Sequence, residues 1–184
     1  MTELFKDHFS EGSDEYRVYR PQYPQPLFHY LSQLTARHEH AWDCATGSGQ
    51  SAVELSKYYS TVIATDASKS QIDNAVATKG VSYRVESAED STIENESVDL
   101  ITVAQALHWF DIEKFAEEVI RVLKNQAVLA VWTYGTMDIN VALNKTIKHL
   151  YSGMLDSFWP PERMMIENGY RDISFPLQAI ESPV

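Results

Sequence analysis

A short run of small residues between two predicted elements constrains the fold more than any other feature of the chain. The run is DCATGSG at residues 43–49; apolar residues 41–42 precede it, and a helix-like segment at residues 50–59 follows it. Residues 61–65 (TVIAT) then form a predicted strand that ends at Asp66. A strand, a glycine turn, a helix and a second strand ending in a carboxylate are typical of a nucleoside-binding βαβ unit. The glycines let the backbone approach a ligand closely, and the carboxylate accepts hydrogen bonds from both ribose hydroxyls.

The order of the other predicted elements indicates an α/β fold. Three prolines within residues 21–26 predict a stiff, extended segment, and apolar spacing predicts a helix over residues 27–37. The later elements are a helix over 68–77 capped by Ser68, strands over 81–85 and 98–104, a helix that begins at Asp111 and closes at 124–125, and a strand over 127–132. Such alternation requires right-handed crossovers and produces a Rossmann-like parallel sheet with helices on both faces.

Composition excludes several kinds of partner. The 184 residues include 15 Lys and Arg against 26 Asp and Glu, for a net charge of -11, and the basic residues are scattered. Such a surface repels phosphate backbones, so we expect no nucleic acid partner. No apolar stretch approaches the roughly 18 residues of a membrane helix, and the N-terminus lacks a signal-peptide core, so we expect no membrane partner. The single cysteine, Cys44, excludes an internal disulfide and suits a cytoplasmic location.

Two cofactors compete for the glycine loop. Gly47-x-Gly49-x-x-Ala52 fits the dinucleotide fingerprint, and Asp66 would serve NAD equally well. Asp43 disfavours a dinucleotide, because it would face a pyrophosphate near the helix N-terminus. S-adenosylmethionine has no phosphate and carries an ammonium and a sulfonium, which a nearby acid attracts. Asp43 therefore favours S-adenosylmethionine, while an NAD(P)-dependent oxidoreductase remains the alternative; no Tyr-x-x-x-Lys pair is placed for hydride transfer.

Several further segments agree in order with a known family. The segments are YRVYRPQYP at residues 16–24, the loop at 43–49, ATD at 64–66, SAE at 87–89, AQALHWF at 104–110 and RVLK at 121–124. Together they make residues 16–134 resemble class I S-adenosylmethionine-dependent methyltransferases of the type 11 small-molecule group, including the trans-aconitate methyltransferase-like branch. Residues 158–163 and 169–172 are similar to that branch with lower specificity.

The resemblance implies a set of site residues. The predicted cofactor-binding residues are Tyr19, Arg20, Asp43, Ala45, Thr46, Gly47, Gly49, Asp66, Ala67, Ala88, Glu89, Ala104 and Gln105. Asp43 and the loop would hold the methionine end, Asp66 the ribose, and Ala88 with Glu89 the adenine. Tyr16 and Trp109 are the predicted substrate contacts, and His108 is the candidate catalytic residue.

Structural roles compete with several of these assignments. Asp66 would also serve as a cap for the following helix, since acids favour helix starts. The aromatic faces of Tyr16 and Tyr19 would equally suit a packed N-terminal arm, with Arg20 in an ion pair rather than on the cofactor carboxylate. Cys44 is expected to be a small buried residue and not a nucleophile. The other histidines lack ligand spacing, so we predict no metal.

This chain departs from the family's pattern in two places. Ala45 stands where the family loop has its first glycine, which crowds the backbone slightly. The chain stops at Val184, so the family's final helix and closing antiparallel hairpin have no counterpart. We therefore expect a truncated C-terminus and an open sheet edge that a partner would pair with. A catalytically silent cofactor-binding domain is a further alternative, and the oligomeric state is not predicted.

These inferences give a domain plan and a reaction. Residues 1–26 form an arm over the cofactor site, residues 27–135 the Rossmann-like core, and residues 136–184 a helical cap or substrate segment. The reaction is an in-line transfer of a methyl group to a small molecule, in which alignment and exclusion of water matter most. A carboxylate acceptor, as in the trans-aconitate branch, needs no base; a hydroxyl or amine acceptor would use His108.

Overall fold

The structure is a computed structural model that describes residues 22–136 and 138–180. The chain divides into two compact units between Val131 and Trp132. The strands are β1 (His40–Cys44), β2 (Thr61–Asp66), β3 (Val81–Val85), β4 (Val98–Ala104) and β5 (Leu123–Trp132). The α-helices are α1 (Gln25–Gln33), α2 (Gln50–Leu55), α3 (Lys69–Asp73), α4 (Ile112–Val122), α5 (Val141–His149) and α6 (Arg163–Glu167). Within the described ranges, no helix is both long enough and apolar enough to span a bilayer.

The five strands form one sheet in the order β3-β2-β1-β4-β5. Strand β1 pairs in parallel with β2 and with β4, and β2 pairs in parallel with β3. The Rossmann-like α/β fold predicted from the sequence is confirmed. The chain proceeds outward from β1 through β2 to β3, then returns to the other side of β1 as β4. The carboxyl ends of β1 and β4 therefore flank a topological switch point, where sheets of this kind bind ligands.

The first unit has its core around the central strands. All seven residues of β4 are buried, which explains its nearly continuous apolar sequence. The fully buried Trp42 ring on β1 packs edge-on against Phe115 of α4, with the ring centroids 6.2 Å apart. The Trp42 indole also donates a 2.8 Å hydrogen bond to the Thr65 hydroxyl of β2, so its polar atom is satisfied inside the core.

Element boundaries differ from the sequence predictions at several places. Helix α1 begins at Gln25, inside the segment predicted to be extended, because Pro24 is its N-cap and Pro26 occupies its first turn. Proline is compatible with a first turn, where the missing N–H has no helical partner. Helices α2 and α3 end earlier than predicted. Strand β5 begins at Leu123, directly after α4 ends at Val122, so there is no intervening loop.

An ion pair between the partly exposed Arg121 and the buried Glu118 connects α4 to the segment between β3 and β4. The Arg121 guanidinium forms a fork with Glu118, at 2.7 Å from Nε and 2.6 Å from Nη2, and also donates to the Ile93 carbonyl. The Ser91 amide and hydroxyl donate to the same Glu118 carboxylate at 2.9 and 2.6 Å. Burial alone would raise the pKa of Glu118, but the hydrogen bonds from Arg121 and Ser91 outweigh it and lower that pKa.

Replacing Glu118 with glutamine is expected to lower the free energy of unfolding by about 1.5 kcal/mol at neutral pH, since the amide cannot accept all of these hydrogen bonds. Because the folded pKa of Glu118 is lowered, its contribution is present above the unfolded pKa and disappears as pH falls through the folded value. Denaturant unfolding at pH 7 and pH 3 measures both effects. The exposed neighbour Glu117, changed to glutamine, is the control; equal losses in the two variants would contradict the assignment.

The second unit consists of α5, α6 and short turns between them. Its tightest cluster places the Arg163 guanidinium 4.2 Å from the centroid of the Tyr151 ring and 5.4 Å from that of Trp159. Arg163 also pairs with Glu167 at 2.6 Å. Residues 158–163, one of the segments that resemble the family, thus contribute Trp159 and Arg163 to a cation–π cluster. Whether this unit acts as a cap over a substrate stays a prediction.

Candidate functional site

A pocket opens at the carboxyl ends of β1 and β4. The residues that line it are Tyr23, Asp43, Ala45, Thr46, Ser48, Gln50, Ser51 and Ala104. Four of the predicted cofactor residues are thus brought together: Asp43, Ala45, Thr46 and Ala104. The pocket lies at the switch point of the sheet, which is the position that the topology assigns to a ligand.

Asp43 is the charged residue of this pocket. It is only 1% exposed, and the hydroxyl of Thr102 on β4 donates to its Oδ1 at 2.8 Å. The Thr46 hydroxyl donates to Oδ2. The two threonines therefore hold the carboxylate of Asp43 in one orientation at the pocket.

Two non-glycine residues with a positive φ lie at the same strand ends. Ala45 follows β1 with φ of 54°, and Gln105 follows β4 with φ of 58°. Residues other than glycine rarely adopt this left-handed region, and such strain accumulates where a site must hold a fixed backbone. The expectation that Ala45 merely crowds the loop understates its effect, because the position requires the conformation that glycine adopts freely.

Replacing Ala45 with glycine is expected to raise the free energy of unfolding by about 0.5–1 kcal/mol, because relief of the left-handed strain exceeds the extra entropy of the unfolded chain. Ala52, a buried residue of α2, is the matched control. Its change to glycine should cost about 1 kcal/mol, since its backbone is helical. Chemical denaturation measures both variants, and a loss of stability in the Ala45 variant would contradict the strain argument.

The glycine loop is closed by hydrogen bonds at both ends. The Gly47 amide donates to Asp66 Oδ2 at 2.8 Å, and the Gly49 amide donates to the Thr46 carbonyl at 3.0 Å. Gly49 is the N-cap of α2 with φ of 91°. A Cβ atom on Gly49 would lie 2.4 Å from the hydroxyl oxygen of Tyr83 on β3. Glycine is therefore required at 49 by conformation and by space.

Asp66 combines the two roles that the sequence left open. Its Oδ1 accepts a 2.9 Å hydrogen bond from the Ser68 amide at the start of α3, as a helix-capping acid would. Its Oδ2 holds the Gly47 amide. Because carboxylate oxygens have further lone pairs, these contacts orient Asp66 without preventing it from accepting ribose hydroxyls. Ala67 follows it and is exposed. The ribose contact itself stays a prediction.

Ala88 and Glu89 follow β3 at the edge of the first unit. Ala88 is 8% exposed, whereas Glu89 is partly exposed. Glu89 Oε1 accepts a 3.0 Å hydrogen bond from the Asp111 amide at the start of α4, and its other oxygen accepts from the Ser87 hydroxyl. Glu89 is thus held in place as an ordered carboxylate, and its contact with adenine stays a prediction.

His108 and Trp109 lie on a single 3₁₀ turn, Leu107–Trp109, that follows β4. The two rings contact each other with centroids 4.7 Å apart, and His108 is only 7% exposed. Neither ring lines the pocket described above. Their predicted roles with the substrate are therefore not addressed by this geometry, although both follow the strand that ends at the pocket.

Cys44 is fully buried, as the sequence analysis predicted. Burial raises the pKa of its thiol well above the ordinary value, and the negative charges of Asp43, Glu89 and Asp66 raise it further. The thiol is therefore held in its neutral form and is a poor nucleophile.

Three of the predicted site residues, Tyr16, Tyr19 and Arg20, lie outside the residues that the structure describes, so their roles stay predictions.

Four residues that line the pocket were not among the predicted site residues: Tyr23, Ser48, Gln50 and Ser51. The position of Ser48 between Gly47 and Gly49 could have predicted its place in the pocket, since every residue of a tight glycine turn lies near the ligand. Gln50 and Ser51 were treated only as the start of a helix.

The carboxylate of Asp43 gives the pocket its charge, and the other polar groups that line it are hydroxyls and an amide. Among the described residues that line it, Asp43 is charged, and Lys and Arg are not represented. This donor and acceptor set is suited to a ligand that carries positive charge, and it is unsuited to a pyrophosphate. Across residues 22–136 and 138–180, no three His, Cys, Asp or Glu side chains are grouped so that they would hold a metal ion.

The fold and the pocket define a Rossmann-like domain for a nucleoside cofactor, and comparisons with known proteins specify it further. The methyltransferase domain family matches residues 42–131. A solved structure of a type II methyltransferase from Anaeromyxobacter dehalogenans is 39% identical, covers 90% of this chain and 70% of its own, and superposes with a TM-score of 0.83. The chain belongs to the class I methyltransferase family.

Two curated proteins extend the comparison. A Dictyostelium discoideum protein whose name describes a methyltransferase is 41% identical over 173 residues, which are 92% of this chain and 66% of that protein. A Saccharomyces cerevisiae protein named as an S-adenosylmethionine-dependent methyltransferase is 27% identical over 76% of this chain and 52% of its own. The chain thus spans between half and two thirds of the length of these relatives. The trans-aconitate branch is not confirmed, and the oxidoreductase alternative has no support.

Proposed function

We propose that this chain forms the cofactor-binding part of an S-adenosylmethionine-dependent methyltransferase that acts on a small molecule. The observation that carries the proposal is the buried carboxylate of Asp43 in the pocket at the switch point, where two threonine hydroxyls fix it. S-adenosylmethionine carries an ammonium and a sulfonium, so this set of groups suits it. The name of the yeast relative supports the same cofactor.

The described residues fit that cofactor in three places. Asp43 and the strained turn at Ala45 would hold the methionine end, since both line the pocket between β1 and β4. Asp66 would accept the ribose hydroxyls from the end of β2. Glu89 and Ala88, beyond β3, would border the adenine. The cofactor then extends across the carboxyl ends of neighbouring parallel strands, in the sheet order β3-β2-β1-β4.

S-adenosylmethionine supplies an electrophilic methyl group on a positively charged sulfur. The chain's contribution is to hold the cofactor rigidly, so that an acceptor can approach the methyl group in line from the side opposite the sulfur. The surrounding fold holds Ala45 and Gln105 in left-handed backbone conformations at the ends of β1 and β4. A carboxylate acceptor is already a nucleophile and requires no base. For a hydroxyl or amine acceptor, His108 would take the proton.

Separate titrations with two ligands test the proposed cofactor. Isothermal titration of the chain with S-adenosylhomocysteine and, separately, with NADH is expected to show binding of the first and not of the second. Preferential binding of NADH would overturn the proposal in favour of an oxidoreductase. Transfer of a labelled methyl group from S-adenosylmethionine to a pool of small carboxylic acids, alcohols and amines then identifies the acceptor class. Binding without transfer to any of the three classes would favour a catalytically silent domain.

A further inference from the structure

Gln50 has an unsatisfied acceptor in the pocket. It is the first residue of α2, directly after Gly49, and it lines the same pocket as Asp43. Its Oε1 atom is buried, and the described part of the chain offers that atom no hydrogen-bond partner. A buried acceptor of this kind carries a desolvation cost that folding does not repay, so it calls for an explanation in the function of the site.

The position of Gln50 indicates which portion of the cofactor would lie beside it. The pocket includes Ala104 at the end of β4 but not Asp66 at the end of β2. Since Asp66 is the expected partner of the ribose, the group that enters this pocket belongs to the other end of the cofactor, which is the amino acid. The ammonium group is the donor at that end.

We propose that Gln50 Oε1 accepts a hydrogen bond from the α-ammonium of the cofactor's methionine portion and thereby selects ligands that carry an amino group there. The inference rests on the proposed function. Asp43 supplies the charge, and Gln50 supplies a neutral acceptor from the helix side of the same pocket. Two acceptors from different elements fix the direction of an ammonium N–H group more strictly than one carboxylate does.

A pair of ligands separates this role from a structural one. S-adenosylhomocysteine and 5′-methylthioadenosine share the nucleoside and the thioether, but only the first carries the amino acid. Gln50→Met keeps the length of the side chain and removes the acceptor. We expect this variant to bind S-adenosylhomocysteine about tenfold more weakly, as for loss of one hydrogen bond to a charged group, and 5′-methylthioadenosine with unchanged affinity. Equal weakening of both ligands would overturn the inference, since a distorted loop would affect both.

Gln50→Glu distinguishes the ammonium from the neighbouring carboxylate of the same amino acid. Glutamate keeps an acceptor and adds negative charge, so binding of S-adenosylhomocysteine should be retained or tightened. A tenfold loss would show instead that the Gln50 amide donates to the ligand carboxylate, and it would overturn the assignment.

Gln33, exposed on α1, provides the matched control, and Gln33→Met should leave both affinities unchanged. Thermal unfolding of each variant confirms that the fold is intact. If the unaltered chain binds 5′-methylthioadenosine but gains nothing from the amino acid, the inference fails while nucleoside binding stands. If it binds neither ligand, the proposed function itself fails, and the inference with it.

Discussion

Asp43→Asn is expected to weaken the binding of S-adenosylhomocysteine about 30-fold, which corresponds to about 2 kcal/mol. The change removes the charge of a carboxylate that is 1% exposed while keeping its shape. One of the hydroxyls of Thr46 and Thr102 can reverse its hydrogen bond and accept from the new amide nitrogen, while the other still donates to the amide oxygen, so the fold should tolerate the substitution. Isothermal titration measures the affinity, and thermal unfolding reports the stability.

Asp73→Asn is the control for this prediction. Asp73 lies on α3, where it pairs with Lys69 at 2.6 Å and its side chain is 60% exposed. Its replacement removes the same charge from the protein without touching the pocket, so the affinity should stay within about twofold of the unaltered chain. An Asp43 variant that is folded and binds S-adenosylhomocysteine at full strength would refute the role of Asp43 as the attracting charge.

Gly49→Ala is expected to lower the free energy of unfolding by about 3 kcal/mol and to abolish measurable cofactor binding. Part of the loss, about 1–2 kcal/mol, arises because φ of 91° is unfavourable for alanine. The remainder arises because the new Cβ would lie 2.4 Å from the Tyr83 hydroxyl oxygen and 2.9 Å from its ring. Either the Tyr83 ring or the loop must shift to relieve this contact, and we expect the strained backbone at residue 49 to displace the loop and the pocket residues that belong to it.

Gly80→Ala isolates the conformational part of this effect. Gly80 has a similar φ of 84°, but a Cβ there would lie 3.4 Å from the Ser60 carbonyl oxygen, which a small shift relieves. Gly135→Ala, with nothing within 4 Å of the new atom, should be nearly neutral. Urea unfolding ranks the three variants. If Gly49→Ala costs no more than Gly80→Ala, the close approach of Tyr83 is not what constrains the loop.

Hydrophobic pattern and turn chemistry predicted most of the sheet. The segment at 98–104 is apolar because β4 is buried on both faces, and this burial is what the sequence pattern registers. Ser68 and Asp111 were predicted as helix starts, and their side chains accept the expected hydrogen bonds from the amides of Gln71 and Lys114. These are local effects, so they can be read from neighbouring residues alone.

Other features depended on contacts between distant residues. The prolines within residues 21–26 predict an extended segment, yet α1 begins at Gln25 because a first turn needs no amide partners. The start of β5 at Leu123 follows from pairing in the sheet rather than from its own polar residues 124–126. Gln50 and Tyr23 entered the site only because the fold brings them beside Asp43.

The sequence by itself determined the βαβ unit and the loop, and it predicted Asp43 and Asp66 as binding carboxylates, because strand ends and glycine turns are local features. Only the tertiary structure decided how those groups are oriented. It placed Thr102, almost sixty residues away in the chain, on the Asp43 carboxylate, and it placed Tyr83 against Gly49. It also buried the side-chain oxygen Oε1 of Gln50, a residue that lines the pocket. Such contacts arise from pairing between strands that are distant in sequence, and no local pattern records them.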